Sequence, residues 1–146
     1  MSEIVTDPTA DRLAVADVMI RYATSVDARD LDRYASCFTD DVEVSGFSSG
    51  PITGLATYVP WVANALKRFS QTQHMLGNQV VEIDGDHAHL RTYVTATHVL
   101  ADDADTLLVL WANYDDRLIR TPDGWKITHH RLEPLIPPRR IHAPLP

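Results

Sequence analysis

The sequence predicts an α+β fold in which N-terminal helices pack on one face of a curved antiparallel sheet. Three observations lead to this prediction. The first half of the chain carries apolar residues at helical spacing. The second half is rich in β-branched and aromatic residues and is divided by the turn sequences DGD, DDAD and TPDG. Helices followed by strands in a chain of 146 residues indicate a single α+β domain.

A carboxylate interrupts the apolar stripe of the first predicted helix, which lies in DPTADRLAVADVMIRYATSVDARD. At about 100° per residue, Asp27 falls only about 40° from Leu13 around the helix axis. Asp27 therefore orients a histidine elsewhere in the chain, caps the next helix or pairs with a nearby arginine. The predicted stripe consists of Leu13, Ala16, Ile20 and Ala23.

Two more helices and a short strand complete the first half. DLDRYASCF predicts a helix with Asp30 as its N-cap. Its inward-facing residues are Leu31, Tyr34 and Phe38. DVEVSGF alternates between apolar and polar residues, as is typical of a strand. LATYVPWVANALKRFS predicts a third helix whose regular part begins near Thr57–Pro60, because proline is tolerated in a first turn.

Four strands are predicted in the second half: QTQHMLGNQVVEID, HAHLRTYVTATHVLA, TLLVLWANYDDRLIR and WKITHHRLEPLI. Side chains alternate along a strand, so each strand has two faces. The first of these strands places His74 on one face with Leu76, Asn78 and Val80. The second places His98 on a small apolar face with Ala88, Leu90, Thr92, Val94 and Ala96. The third places Asn113 on one face with Val109 and Trp111.

Charge, cysteine content and motifs exclude several classes of function. The formal net charge is −7, and phosphate binding needs a basic surface, so nucleic acid is not expected as a partner. A single cysteine excludes a disulfide framework and a CxxC zinc site, and it fits a reducing cytoplasm. The polar N-terminus predicts no signal peptide, and no apolar run reaches the length of a membrane span. Nucleotide-binding, zincin and serine-hydrolase motifs are absent.

Three residues far apart in sequence are candidates for acid–base chemistry: Asp27, His74 and His98. An aspartate beside a histidine fixes the imidazole tautomer and raises its basicity, so that the histidine can take or give a proton. A second histidine, Asn113 or the hydroxyl of Tyr22 could then bind a carbonyl or hydroxyl oxygen. The structural alternative is that each histidine is a hydrogen-bonded core residue and Tyr22 serves packing.

The chain resembles the SnoaL-like branch of the nuclear-transport-factor-2-like superfamily over residues 10–134. The resemblance rests on the pattern Y-x4-D-x2-D-x-D with FTDDV, on QTQHMLGN with its H-x3-N spacing, and on the closing DGWKI. It implies a cone, in which a strongly bent antiparallel sheet wraps around helices and encloses a deep pocket. Members include polyketide cyclases, steroid isomerases, epoxide hydrolases, scytalone dehydratase, bile acid 7α-dehydratase, a lindane dehydrochlorinase and non-catalytic dioxygenase β subunits.

The dehydratase-like members match best. The resemblance implies that Asp27 and His74 are a catalytic dyad and that His98 is a second active-site histidine. By the same resemblance, Asn113 and Tyr22 bind substrate. The pocket is then expected to be apolar, and its expected lining residues are Trp61, Phe69, Val94, Leu110 and Trp111.

The resemblance implies a cofactor-free and metal-free lyase or isomerase that acts on a small hydrophobic ring compound, such as a steroid, terpenoid or polyketide. The alternative is a non-catalytic module of the same fold that binds a hydrophobic ligand or another subunit. We expect a homodimer, because the outer face of such a sheet is often apolar. We expect residues 1–9 to form a loose arm and the Pro-rich residues 135–146 to form an extended tail, either loose or lying over the pocket mouth or a partner.

Overall fold

The computed structural model describes residues 7–146. Three helices and six strands follow one another along this part of the chain. Their bounds, in chain order, are α1 (Pro8–Asp27), α2 (Leu31–Ala35), β1 (Phe38–Ser45), β2 (Ile52–Thr53), α3 (Leu55–Leu66), β3 (Phe69–Asp84), β4 (His87–Leu100), β5 (Thr106–Thr121) and β6 (Gly124–His142). The predicted α+β class is confirmed.

The strands form one curled, unclosed sheet in the order β2-β1-β6-β5-β4-β3. Strands β3 to β6 are an antiparallel meander, as the turn sequences predict. Strand β1 departs from the all-antiparallel prediction, because it pairs with β6 in parallel. No hairpin joins β1 to β6, so no short turn fixes their relative direction.

Helix α1 buries a different stripe from the predicted one. Its N-terminus is capped by Asp7, whose carboxylate accepts the backbone N–H of Thr9 at 2.9 Å. Leu13 and Ile20 are 64% and 46% exposed, so the predicted stripe is wrong at these two positions, whereas Ala23 is buried as predicted. The helix carries apolar residues on more than one side, and periodicity alone does not choose between them. The buried residues are Val15, Val18, Met19, Tyr22, Ala23, Ser25 and Val26.

The second and third helices differ from the prediction at their ends. Helix α2 ends at Ala35, so Phe38, predicted on its inward face, is instead the first residue of β1. Asp30 caps α2 by accepting the backbone N–H of Arg33 at 3.1 Å. Helix α3 begins at Leu55, earlier than expected, so Pro60 lies inside the helix. Gly54 permits this start, because its positive φ of 89° turns the chain directly into the helix.

Bulges decide which side chains face the concave side of the sheet. A register shift between Leu76 and Gln79 in β3 reverses the alternation, so Asn78 and Val80 do not share the inward face of His74 as predicted. The even-numbered face of β4 is turned inward, as expected. In β5 the inward residues are even-numbered, so the face with Val109, Trp111 and Asn113 lies outside.

Both ends of the described part of the chain contain more helix and strand than predicted. Strand β6 pairs with β5 as far as His142, so most of the expected tail, 135–146, is strand. Strand β1 covers β6 only to Arg131, and the free edge beyond it tolerates prolines that donate no hydrogen bond. Of the expected arm, Pro8 and Thr9 belong to α1, and residues 1–6 lie outside the described part. No helix within residues 7–146 has the length and apolar character to cross a membrane.

Candidate active site

A cavity of about 470 Å³ lies between the concave face of the sheet and the three helices. Seven Phe, Tyr and Trp side chains line it, and four of them are tyrosines whose rings are buried. Six of the predicted site residues line it: Tyr22, Trp61, Phe69, His74, His98 and Leu110. The volume is within the usual range of sites for small ligands.

Three predicted substrate-binding residues do not line this cavity, and those expectations are wrong. Val94 is buried in the core. Trp111 lies on the outer face of β5. Asn113 lies on the same outer face, where its side-chain amide donates to Glu133 at 3.1 Å. Both faces of β5 are apolar, and alternation alone therefore does not show which one turns inward.

The carboxylate of Asp27 binds His74 at two points. Oδ1 accepts the ring Nδ1–H at 2.7 Å, and Oδ2 accepts the backbone N–H at 2.8 Å. Asp27 is absent from the cavity wall, whereas His74 is part of it. Asp27 therefore lies behind the ring and leaves Nε2 of His74 on the cavity side.

A second polar layer holds Asp27 in place. The hydroxyl of Thr72 donates to Oδ1 of Asp27 at 2.9 Å, and the guanidinium of Arg29 donates to that hydroxyl at 2.7 Å. Burial acts to raise the pKa of Asp27, but the hydrogen bonds from His74 and Thr72 outweigh it, and the pKa lies below its ordinary value. Asp27 is therefore a carboxylate at neutral pH and fixes the Nδ1–H tautomer of His74.

His98 lies beside this pair, with its ring centroid 5.7 Å from that of His74 and the two rings nearly perpendicular. Its Nδ1–H donates to the carbonyl oxygen of Leu108 at 3.0 Å, so Nε2 carries the lone pair. Burial lowers the pKa of His98 below its ordinary value. At neutral pH His98 is an uncharged hydrogen-bond acceptor.

A second aspartate–histidine pair, which no pattern in the sequence predicts, lies deeper in the fold. His130 Nδ1 and Asp116 Oδ1 are 2.5 Å apart, and both side chains are fully buried. The other ring nitrogen of His130 lies 3.1 Å from the hydroxyl of Tyr22. Burial raises the pKa of Asp116 above its ordinary value.

Comparison with known proteins identifies the family. The sequence model of the SnoaL-like domain matches residues 7–131. This protein belongs to the SnoaL-like domain family. Its fold is the NTF2-like fold that the resemblance implied. Within residues 7–146, no group of three or more His, Cys, Asp and Glu side chains is arranged to hold a metal ion.

Relatives of this SnoaL-like protein are found by sequence and by structure. The uncharacterized protein Rv2910c of Mycobacterium tuberculosis is 34% identical over 119 residues, 81% of each chain. A protein from Novosphingobium aromaticivorans, provisionally named an aromatic ring hydroxylase, is 31% identical with a TM-score of 0.86, over 93% of this chain and 96% of that one.

Two further solved structures share the fold. One, also from Novosphingobium aromaticivorans and provisionally named a scytalone dehydratase, is 20% identical with a TM-score of 0.82, over 94% of this chain and 91% of that one. The other is the hexachlorocyclohexane dehydrochlorinase LinA-type3 of Novosphingobium barchaimii, 21% identical with a TM-score of 0.82, over 94% of this chain and 96% of that one.

The pairing of Asp116 with His130 depends on a bulge in the last hairpin of this SnoaL-like protein. Next to the turn, Thr121 pairs with Gly124, and continuing that register would set Asp116 opposite His129. The register shifts beyond Leu118, and Asp116 then faces His130. The turn sequence TPDG predicts the hairpin, but nothing in the sequence signals the shift.

Proposed function

We propose that this protein is a cofactor-independent lyase or isomerase of the dehydratase type, which acts on a hydrophobic ring compound. The observation that carries the proposal is the contact of 2.7 Å between Asp27 and His74, with the free nitrogen of His74 on the side of a cavity. A ligand-binding module has no need for a histidine that a carboxylate holds in one tautomer.

In the proposed reaction, Nε2 of His74 removes a proton from a carbon next to a carbonyl group. The electron pair of the broken carbon–hydrogen bond is delocalised onto the carbonyl oxygen, which becomes an enolate oxygen. The carboxylate of Asp27 stabilises the imidazolium that results. In one outcome the carbonyl re-forms, the enolate electron pair makes a carbon–carbon double bond, the adjacent C–O bond breaks, and the imidazolium protonates the departing hydroxyl, which leaves as water. In the other outcome the imidazolium returns the proton to another carbon of the substrate. The first outcome is a dehydration and the second an isomerisation.

The neighbouring side chains fit this chemistry. His98 accepts a hydrogen bond at Nε2, so it can hold a substrate hydroxyl near His74. Tyr22 lies on the cavity wall with its ring centroid 6.4 Å from that of His74, and a hydroxyl donor there would stabilise the enolate. Acid–base steps of this kind each supply about 10²–10⁴-fold in rate.

The cavity supports a ring compound as substrate. Its wall includes Phe47, Trp61 and Phe69, whose flat apolar surfaces favour flat apolar ligands. A steroid, terpenoid or polyketide has the apolar ring system that this wall favours. One that also bears a carbonyl and a hydroxyl group has the functional groups that the proposed reaction needs. Fold neighbours named a scytalone dehydratase and a dehydrochlorinase have names that denote elimination reactions, in line with the proposal.

The test is a panel of hydroxylated cyclic ketones incubated with the protein, with products followed by mass spectrometry for loss of water and by proton NMR for isomerisation. We expect turnover by the native protein and a loss of about 10²-fold or more in His74→Gln. His129→Gln is the matched control, because His129 is exposed and pairs with Glu43 at 3.1 Å, away from the cavity. Full turnover in His74→Gln would overturn the proposal, and tight binding without turnover would favour a ligand-binding module.

A further inference from the structure

We propose that Asp116 and His130 are positioning residues that hold the hydroxyl of Tyr22 as a hydrogen-bond donor to a carbonyl oxygen of the bound ligand. The inference deepens the proposed function, on which it rests for the identity of that oxygen. It gives a role to a buried pair that the Asp27–His74 chemistry does not use.

The first step concerns the charge of the buried pair. Asp116 and His130 expose none of their side-chain surface. Oδ1 of Asp116 contacts Nδ1 of His130, and Oδ2 finds no hydrogen-bond partner among residues 7–146. A lone carboxylate with an unsatisfied oxygen is costly in such surroundings. The pair is therefore most stable with no net charge.

The second step concerns the position of the protons. A pair without net charge is either a carboxylate with an imidazolium or a carboxylic acid with a neutral imidazole. With the acid proton on Oδ1, both forms place one proton between Oδ1 of Asp116 and Nδ1 of His130 and the other on Nε2 of His130. A proton on Oδ2 would have no acceptor, because that oxygen has no hydrogen-bond partner among residues 7–146. Nε2 therefore donates to the hydroxyl oxygen of Tyr22, 3.1 Å away.

The third step concerns the hydroxyl hydrogen of Tyr22. Since its oxygen accepts from His130, the hydrogen of the Tyr22 hydroxyl points away from His130, toward the cavity that Tyr22 lines together with Tyr34, Tyr58 and Tyr114. These tyrosine hydroxyls are the competing acceptors that a ligand carbonyl oxygen would replace. Burial holds the pKa of Tyr22 well above its ordinary value, so the hydroxyl remains protonated. If the pair were instead a carboxylate beside a neutral imidazole, Nε2 of His130 would accept the O–H of Tyr22, and the hydroxyl could only accept a hydrogen bond from the ligand.

The two aspartate–histidine pairs therefore give their histidines opposite roles at Nε2: one histidine accepts a proton there and the other donates a hydrogen bond. Asp27 leaves a lone pair on Nε2 of His74, whereas Asp116 leaves a proton on Nε2 of His130. The ring of Tyr22 lies beside both imidazoles, with centroid distances of 6.4 Å to His74 and 5.0 Å to His130. The ligand class this favours is a cyclic ketone whose carbonyl oxygen accepts from Tyr22 while His74 faces the adjacent carbon.

The first test measures the protonation of His130 directly. Nitrogen-15 NMR of the full-length protein distinguishes a protonated from an unprotonated imidazole nitrogen, and His130→Gln identifies the signal. We expect a protonated Nε2 near neutral pH. An unprotonated Nε2 would overturn the inference. The measurement needs no substrate and no activity, so it is independent of the proposed function.

The second test uses 1-tetralone and tetralin, which differ in one carbonyl oxygen, as binding probes. We expect the native protein to bind the ketone more tightly than the hydrocarbon. In Tyr22→Phe the ratio of the two affinities should fall about tenfold, because one hydrogen bond contributes about that factor. His130→Gln, which keeps an N–H donor, should retain more of the preference than His130→Met, which has none. The readout is a ratio of affinities, which general loosening of the fold would not change. An unchanged ratio in Tyr22→Phe, or equal ratios in the two His130 variants when both fold, would overturn the inference even if turnover were found.

Discussion

Asp27 holds both the side chain and the backbone of His74, at 2.7 Å and 2.8 Å. Replacing Asp27 with asparagine should therefore preserve the fold but disturb the tautomer. If the amide oxygen still accepts the backbone N–H, the amide nitrogen faces the ring and favours a lone pair on Nδ1 of His74. Nε2 then carries the proton and no longer acts as a base. We expect turnover to fall by about 10²–10⁴-fold with little change in melting temperature.

The control for this variant is Asp32→Asn. Asp32 lies in the first turn of α2, away from the cavity wall. Its replacement should leave turnover at the native level. Native turnover in Asp27→Asn would contradict the role given to Asp27, whereas a large fall in melting temperature would show that the carboxylate mainly supports the fold.

The stability of the protein should decrease below neutral pH in part because of His98. Its pKa is lowered in the folded state by burial, so between about pH 6.5 and that lower value the unfolded chain binds a proton that the folded chain does not. The free energy of unfolding then falls with decreasing pH by at most about 1.4 kcal/mol per pH unit from this group.

Chemical unfolding at a series of pH values tests this contribution. His98→Gln should show a shallower decrease than the native protein between pH 7 and 5, whereas His87→Gln should not, because His87 is exposed at the first residue of β4. Parallel curves for the native protein and His98→Gln would contradict the expectation.

Periodicity and motifs predict part of the candidate site. The spacing Y-x4-D and the distant histidines predicted Asp27 and His74, and the structure brings the two side chains into contact. Periodicity within one strand also placed His98 on the inward face of β4. Each of these positions follows from a local pattern or from the resemblance of the whole chain.

The errors have a shared physical cause. The resemblance implies that Asn113 binds substrate, and alternation puts Trp111 on the same face of β5. Neither shows which face is buried, because β5 is apolar on both. No pattern predicts that His130 pairs with Asp116, because a bulge fixes their register. Bulges and the choice between two apolar faces arise from packing against the rest of the fold, which local sequence does not encode.

Gly46 supports the wall of the cavity at a point where only glycine fits. Its φ is 89°, and a Cβ atom there would overlap the backbone carbonyl of Leu132, which cannot move without disturbing β6. We expect Gly46→Ala to lower the free energy of unfolding by about 3 kcal/mol or more, from the left-handed backbone and the overlap together. Gly50→Ala is the matched control, because Gly50 has a φ of 85° and open space around it, so only the backbone cost of about 1–2 kcal/mol applies. Equal losses in the two variants, measured by urea unfolding, would show that the overlap is relieved.

We propose that the outer face of the sheet is a homodimer interface. Met75, Tyr93 and Leu135 are 60%, 52% and 56% exposed, and they surround a shallow hollow whose wall includes Trp111. A monomer rarely leaves such large side chains together in water. Light scattering of the native protein should give twice the mass of one chain, and Tyr93→Lys should shift it toward the monomer. Leu13→Lys is the control, because Leu13 is 64% exposed on α1, on the helical side of the sheet, and should leave the mass unchanged. A native protein that is monomeric at high micromolar concentration would refute the interface and would leave the exposed hydrophobic face available to a different partner.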